Sequence, residues 1–232
     1  MAYDLDPSRW LVISDLQIPF HHQHALEFCK YVVKHYRIPS ENILCIGDEL
    51  DNYFGGLWPK DPNANHSAMG EIQASLEELR KWYQTFPEMR LAISNHGTRW
   101  MRKATQAEIP SIMLRRYEDV LEAPAGWRWQ KTWKVPCKYP FMIEHGDAHG
   151  GQTPHKQAAM LNGISTAIGH FHSIAGVEYM KTNGMNVWGL CTGSLIDFEQ
   201  YAFHYARDAK LKPQIGVGVV VDDGRWAQWI PL

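Results

Sequence analysis

Hydrophobic positions along the 232-residue chain fall into short solid runs and longer periodic stretches. Residues 10–14, 43–46, 89–93, 141–143 and 164–168 are short strand-like runs, and the second, which is wholly apolar, suits a strand buried on both faces. Residues 24–36 predict a helix with Leu26, Val33 and Tyr36 turned inward, ended by Pro39-Ser40. Residues 71–86 are the clearest helix, since Ile72, Leu76, Leu79, Tyr83 and Phe86 recur at helical spacing. Residues 110–121 read as helical with Pro110 near the first turn, and residues 127–135 alternate as one strand. Thr153-Pro154 opens a further helix that Gly163 stops. The last third reads as β: residues 177–180, an Asn183-Gly184 turn and 187–191, then 217–221, an Asp-Asp-Gly turn and 225–230. Between these elements, residues 53–70 are rich in Gly, Pro, Asn and aromatics. They predict a long surface loop, of a length that often forms a site wall. Strands followed by helices favour a mostly parallel sheet whose C-terminal edge gathers loops into one crevice. The expectation is one α/β domain over residues 1–232.

Composition adds constraints. Hydrophobic content of 45% suits a sizeable core, and a net charge of −2 excludes a general polycation. Cys29, Cys45, Cys137 and Cys191 lack Cys-x-x-Cys spacing, and Cys45 and Cys191 sit in apolar runs as buried free thiols would. Residues 1–7 lack the basic and apolar regions of a signal peptide, and no apolar run is long enough to span a bilayer. A cytoplasmic protein with no membrane partner is the simplest expectation. Charge is uneven: residues 99–138 hold nine Lys or Arg against four Asp or Glu, a local +5 that leaves −7 elsewhere in a chain totalling −2. Trp100, Trp127, Trp129 and Trp133 are interleaved with those cations, the composition of a nucleic-acid track and equally of a charged helix over a tryptophan core.

The candidate chemistry lies where the strands end. Gly47 closes the second run, and Asp48, Glu49 and Asp51 follow at once. Carboxylates at the end of a buried strand repel one another and lose hydration unless a cation neutralises them. Other strand ends supply Asp15 and Gln17, Asn95 and His96, His145, and His170 with His172. On an extended segment residues i and i+2 point to one side, so Asp15 with Gln17, and His170 with His172, are expected to enter a site together. Carboxylate, amide and imidazole ligands in one set suit Mn²⁺, Fe or Zn²⁺ better than Ca²⁺.

These motifs resemble the calcineurin-like metallophosphoesterases, in which Asp-x-His, Gly-Asp-x-x-Asp, Gly-Asn-His-Asp/Glu, a His in a His-Gly context and Gly-His-x-His follow in order. Here they read Asp15-Leu16-Gln17, Gly47-Asp48-Glu49-Leu50-Asp51, Ser94-Asn95-His96-Gly97, His145-Gly146 and Gly169-His170-Phe171-His172, over about two-thirds of the chain. The resemblance implies two packed mixed β-sheets flanked by helices, a four-layer α/β/β/α sandwich. It also implies two divalent ions, Mn²⁺ first and Fe, Zn²⁺ or Ni²⁺ otherwise. One ion would take Asp15, Gln17, Asp48 and His172, and the other Asp48, Asn95, His145 and His170, with Asp48 shared. Asn95 also borders the expected substrate position. His96 would stabilise the transition state and protonate the leaving oxygen, and Arg99, one helical turn on, is a candidate phosphate contact. Two divalent ions against the Asp15 and Asp48 carboxylates leave the centre positive, which attracts a phosphate ester.

Three positions depart from that pattern. Gln17 stands in place of a His and is a weaker, harder ligand, which favours Mn²⁺ over Zn²⁺. Gly97 replaces an acidic residue and so removes a carboxylate partner for His96, and Ser94 replaces a Gly. Among the other polar residues, His149 competes with His145, which follows its strand directly. His21, His22 and His24 read as an exposed helix start, His155 and His204 as surface or packing residues, Asp51 and Asn52 as loop braces, and Glu49 as solvated. The expected function is a two-metal phosphoesterase acting on phosphodiesters of nucleic acid or nucleotides. The alternatives are a phosphomonoesterase and a weakly active or non-catalytic phosphate-binding module.

Overall fold

The computed structural model describes residues 8–232 except 57–58, 63, 183, 201 and 204–207, and not the side chains of residues 182 and 185. The predicted turn position Asn183, the N-terminal residues 1–7 and His204 therefore lie outside the described residues.

Strand β1 (Trp10–Ile13) and β2 (Ile43–Cys45) show why the fold is layered. Leu11 and Ile13 of β1, like Ile43 and Cys45 of β2, face one core, whereas Trp10, Val12 and Leu44 face another. Period-two alternation thus splits each solid apolar run between two interiors, and all these residues are buried. A six-stranded sheet forms around them with β3 (Met89–Ala92), β4 (Trp127–Gln130), β10 (Gly216–Val221) and β11 (Trp226–Pro231), in the order β11-β10-β1-β2-β3-β4. The pairs from β1 to β4 are parallel, and β10 joins antiparallel. The second sheet has β5 (Thr132–Val135), β6 (Phe141–Glu144), β7 (Ser165–Ile168), β8 (Ala175–Thr182) and β9 (Met185–Thr192) in the order β5-β6-β7-β9-β8. Its middle pairings are parallel and its outer two antiparallel, so both sheets are mixed rather than mostly parallel.

Phe141, Ile143, Trp188 and Leu190 of the second sheet meet Val12, Leu44 and Val220 of the first in the core between the sheets. Helices α1 (Ala25–Tyr36) and α2 (Ala68–Thr85) cover the far face of the first sheet. On the far face of the second, α5 (Pro154–Asn162) packs Ala158 against Ile168 and Cys191. The chain is an α/β protein of two packed mixed sheets flanked by helices, as expected from the resemblance. Among the described residues no helix is long and apolar enough to cross a membrane.

Several local expectations need correction. The fully buried stripe of α1 is Ala25, Cys29 and Val32, with Leu26, Val33 and Tyr36 half-buried beside it. In α2 it is Glu71, Ser75, Leu79 and Trp82, because the helix presents small and polar residues to the site loops and its aromatics to the sheet. Residues 110–121 are not one helix but a 3-10 turn (Ser111–Met113) and a one-turn α4 (Tyr117–Val120), since Leu114 and Arg116 adopt extended backbone between them. A helix that the apolar pattern does not show, α3 (Arg99–Gln106), precedes them, with only Ala104 buried. Residues 127–135 are two strands, because the chain crosses near Lys131 from the edge of the first sheet to the edge of the second. The 53–70 loop opens with a 3-10 turn (Tyr53–Gly55) and ends where Ser67 caps α2 by accepting from the Gly70 N–H at 3.0 Å.

Candidate metal centre

The residues that could hold metal follow β1, β2 and β3 in one sheet and β6 and β7 in the other, so the C-terminal edges of both sheets open onto one place. Gly47 makes the convergence possible. It has φ +96°, and a Cβ there would lie 2.6 Å from Ser94 Cβ and 2.8 Å from the Ala92 carbonyl oxygen, so only glycine lets the loops after β2 and β3 touch. Asp15, Gln17, Asp48 and His170 all have left-handed backbone, with φ of 48°, 48°, 51° and 67°. Asp15 and Gln17 therefore reach the site by tight turning and not, as the i, i+2 argument expects, from extended chain. Such conformations cost of order 1–3 kcal/mol each and persist where surrounding contacts over-determine them. Here the Asp15 N–H donates to the Gly47 carbonyl at 3.1 Å and the Gln17 N–H to that of Asp48 at 2.8 Å.

Two ligand groupings result. In the first, His145 Nε2 lies 2.5 Å from Asn95 Oδ1, 3.4 Å from Asp48 Oδ2 and 3.2 Å from His170 Nδ1. Asp48, His145 and His170 each offer a ligand atom, all within 4.8 Å of one another. In the second, His172 Nε2 lies 3.1 Å from Asp15 Oδ1 and 3.0 Å from Gln17 Nε2. Asp15 is also held by Ser14 Oγ and by the His170 N–H at 2.9 Å. The structure thus brings Asp15, Gln17, Asp48, Asn95, His145, His170 and His172 to one crevice from far apart in the chain.

The donor chemistry fits cations. His145 Nδ1 is 3.0 Å from the Ile46 carbonyl, to which it donates, so whenever the ring is neutral its Nε2 lone pair faces the oxygens of Asn95 and Asp48. Acceptors facing acceptors in a buried site repel unless a positive charge lies among them. Gln17 Oε1 is buried and has no hydrogen-bond partner among the described residues, while the Nε2 of the same amide lies at His172. Asp15 and Asp48 are at most 1% exposed, and an ionised carboxylate buried so completely costs several kcal/mol without compensation. In the protein alone a proton plays that part. Burial opposes it, yet the Asp48 carboxylate pushes His145 up to about 10. Burial would raise Asp48, but the His145 and His96 imidazoles hold it well below the usual carboxylate range. His170 is lowered by burial and then by the neighbouring His145 charge. His172 is raised because Asp15 outweighs burial.

His96 stands beside this centre, with Nε2 3.7 Å from Asp48 Oδ2 and its backbone N–H donating to Asp48 Oδ1 at 3.1 Å. The carboxylate that Gly97 does not supply comes from Asp51, whose Oδ1 is 3.3 Å from His96 Nδ1. Asn52 donates to the His96 carbonyl at 3.0 Å, so Asp51 and Asn52 brace the loop as expected. Arg99 does not extend freely toward the metal groups. Its guanidinium donates to the Asp51 carbonyl at 2.6 Å and lies 2.6 Å from His96 Nε2. Glu49, expected to be solvated, is 1% exposed. Its Oε1 accepts from Tyr117 at 2.8 Å and from Trp129 at 3.1 Å, and burial pushes its carboxyl up. His149 turns to Glu144 at 2.8 Å, His155 is buried on the inner face of α5, and His21 is largely buried with Nε2 3.7 Å from Glu78. Sequence reasoning missed Arg102, which donates to the Asn95 carbonyl at 2.7 Å. Its signal was the three-residue spacing from Arg99.

No family model matches the chain, and no curated protein does. Solved structures do. The hypothetical protein PH1004 from Pyrococcus horikoshii OT3 is similar at TM-score 0.52 and 11% identity, over 97% of this chain and 88% of that one. The likeness is one of fold. Vacuolar protein sorting 29 from Cryptosporidium parvum aligns at TM-score 0.49 and 12% identity, over 95% of this chain and 88% of that one. Vps29 from Chaetomium thermophilum aligns at 0.41 and 12%, over 91% and 83%. At such identities PH1004 speaks for the arrangement of strands and helices and for nothing chemical, and the two weaker alignments carry no argument.

Proposed function

We propose that the chain is a dinuclear metal-dependent phosphoesterase that cleaves phosphodiesters of nucleic acid or nucleotides. One observation carries this reading: acceptor atoms of Asp48, Asn95, His145 and His170 crowd a buried point while the Nδ1 of His145 is committed to the Ile46 carbonyl. The motif order of the calcineurin-like metallophosphoesterases supports it. Asp15, Gln17, Asp48 and His172 would hold one ion, and Asp48, Asn95, His145 and His170 the other. When bound, the ions supply positive charge for the phosphate and acidity for an attacking water.

The protein's own groups do the rest. His96 moves a proton at Nε2, the ring nitrogen nearest Asp48, toward the departing ester oxygen. Asp51, with Oδ1 3.3 Å from Nδ1, places a carboxylate on the far side of the ring. Arg99 positions Asp51 and His96 and offers its guanidinium to a phosphate oxygen when substrate displaces the contact with His96. Gln17 favours the second reading, a weak or non-catalytic phosphate-binding module, because its amide binds cations less tightly than imidazole.

Chelation separates these readings. Treatment with excess EDTA is expected to lower hydrolysis of bis(p-nitrophenyl) phosphate by at least about 10²-fold, and added Mn²⁺ to restore it. Full activity in chelator contradicts the metal-dependent mechanism. Faster turnover of p-nitrophenyl phosphate would make the enzyme a monoesterase, and turnover of neither substrate with Mn²⁺ bound would leave the binding module.

A further inference from the structure

Against the wall of the metal centre lies a second cavity, of about 220 Å³, between α3 and the turn that follows Asn52. Asn95 belongs to both: its Oδ1 lies at His145, and it lines the cavity with Arg102, which donates to its carbonyl. The remaining lining is three cations and one neutral amide from α3, Arg99, Arg102, Lys103 and Gln106, with Gly55 and Gly56 from the turn. A Cβ at Gly56 would lie 3.3 Å from Lys60 Nζ and 3.6 Å from Arg99 Cζ, so a fourth cation stands beside the lining, next to Arg99. Lys60 is fixed there by the carbonyls of Tyr53 at 2.5 Å and Gly56 at 3.2 Å. Among the described residues no carboxylate lines the cavity, and the Asp51 carboxylate faces Arg99 and His96.

Like charges gathered in this way repel. Burial first, and then the Arg99 and Lys103 charges, hold the Lys60 ammonium below its ordinary value. Lys103 is exposed and has no ion-pair partner among the described residues. The volume is that of about seven liquid waters at ~30 Å³ each, room for a phosphate with its ester carbons.

We infer that this notch seats a second phosphate group of the substrate, next to the one held at the metal centre. The inference rests on the phosphoesterase reading for what occupies the centre itself. It makes the substrate one with neighbouring phosphates: a polynucleotide strand, or a nucleotide bearing a chain of phosphates. The scissile group lies on the Asn95 side and its neighbour between Lys103, Arg102 and Lys60.

Binding tests this without turnover. Fluorescence anisotropy of a 5′-labelled octathymidylate, with the full chain in EDTA, is expected to show at least a tenfold rise in Kd for Lys103→Glu. For Lys103→Ala, the slope of log affinity against log salt should become shallower by about 0.7, the share of one phosphate contact on a single strand. Arg102→Ala supplies a second variant should Lys103→Glu alter the melting temperature. Competition by ADP that depends equally on Lys103 assigns the notch to a nucleotide's phosphate chain, and lack of competition assigns it to a strand. Unchanged affinity and slope in both charge-removing variants, or no binding by the wild type, would overturn the inference. If Mn²⁺-dependent hydrolysis of bis(p-nitrophenyl) phosphate persists in that case, the notch alone has failed. Loss of that hydrolysis with Lys103-dependent binding intact would sink only the phosphoesterase reading.

Discussion

Alanine at position 48 is expected to lower turnover of bis(p-nitrophenyl) phosphate by at least about 10³-fold and to abolish tight metal binding at both positions of the centre. Asp48 is the one carboxylate whose oxygens face His145 at 3.4 Å, His96 Nε2 at 3.7 Å and the His96 backbone N–H at 3.1 Å. Under the proposed function its loss would remove the negative charge shared by both ions. The effect on folding runs the other way. A buried carboxylate is expensive to desolvate, so removing it costs mainly the orphaned His96 N–H, about 1–3 kcal/mol. Asp48→Asn keeps an oxygen for that N–H and separates the two effects: the melting temperature should stay near that of the wild type while activity falls. Turnover in Mn²⁺ and calorimetric metal titration of both variants check this. Near-wild-type rates in either would refute the role of Asp48.

The second large effect is expected at His96. Alanine there should cost between about 10² and 10⁴ in kcat with metal binding unchanged, the range for loss of a positioned general acid. The imidazole touches Asp48 without sharing its closest contacts to His145, Asp51 lies behind it at Nδ1, and Arg99 meets it at Nε2. The leaving group supplies the discriminating readout. A p-nitrophenolate departs without needing a proton, so the loss should be smaller for an aryl ester than for a dinucleotide whose alkoxide must be protonated. Equal losses on the two substrates would mean that His96 positions the centre rather than moving a proton.

Much of this arrangement was legible in the sequence because the site is built from strand ends. A solid apolar run followed by Gly47-Asp48 marks both the strand and the place where its chemistry begins. The same logic found His145, His170 and Asn95. What the sequence concealed has physical causes. Gly97 suggested that His96 lacks a carboxylate partner, yet Asp51 reaches it across 45 positions of chain, a contact that no local spacing encodes. Glu49 looked solvated because acidic residues after strands usually are. Its partners Tyr117 and Trp129 lie in the basic segment, where only tertiary packing reveals them. Helix α3 escaped notice for a similar reason. Its polar surface carries Arg102 and Lys103, only Ala104 is buried, and so the apolar period that reveals a helix is missing. The tryptophans of that segment divide accordingly: Trp127 is core, Trp129 braces Glu49, and Trp100 stays partly exposed on α3.

The most direct measurement is anomalous diffraction from crystals grown with Mn²⁺. Two peaks are expected roughly 3.5–4 Å apart with the Asp48 carboxylate between them. One should be coordinated by His145 and His170, and the other by Asp15 and His172. No peak within bonding distance of Asp48 and His145, at Mn²⁺ concentrations that support turnover, would contradict the account at its centre.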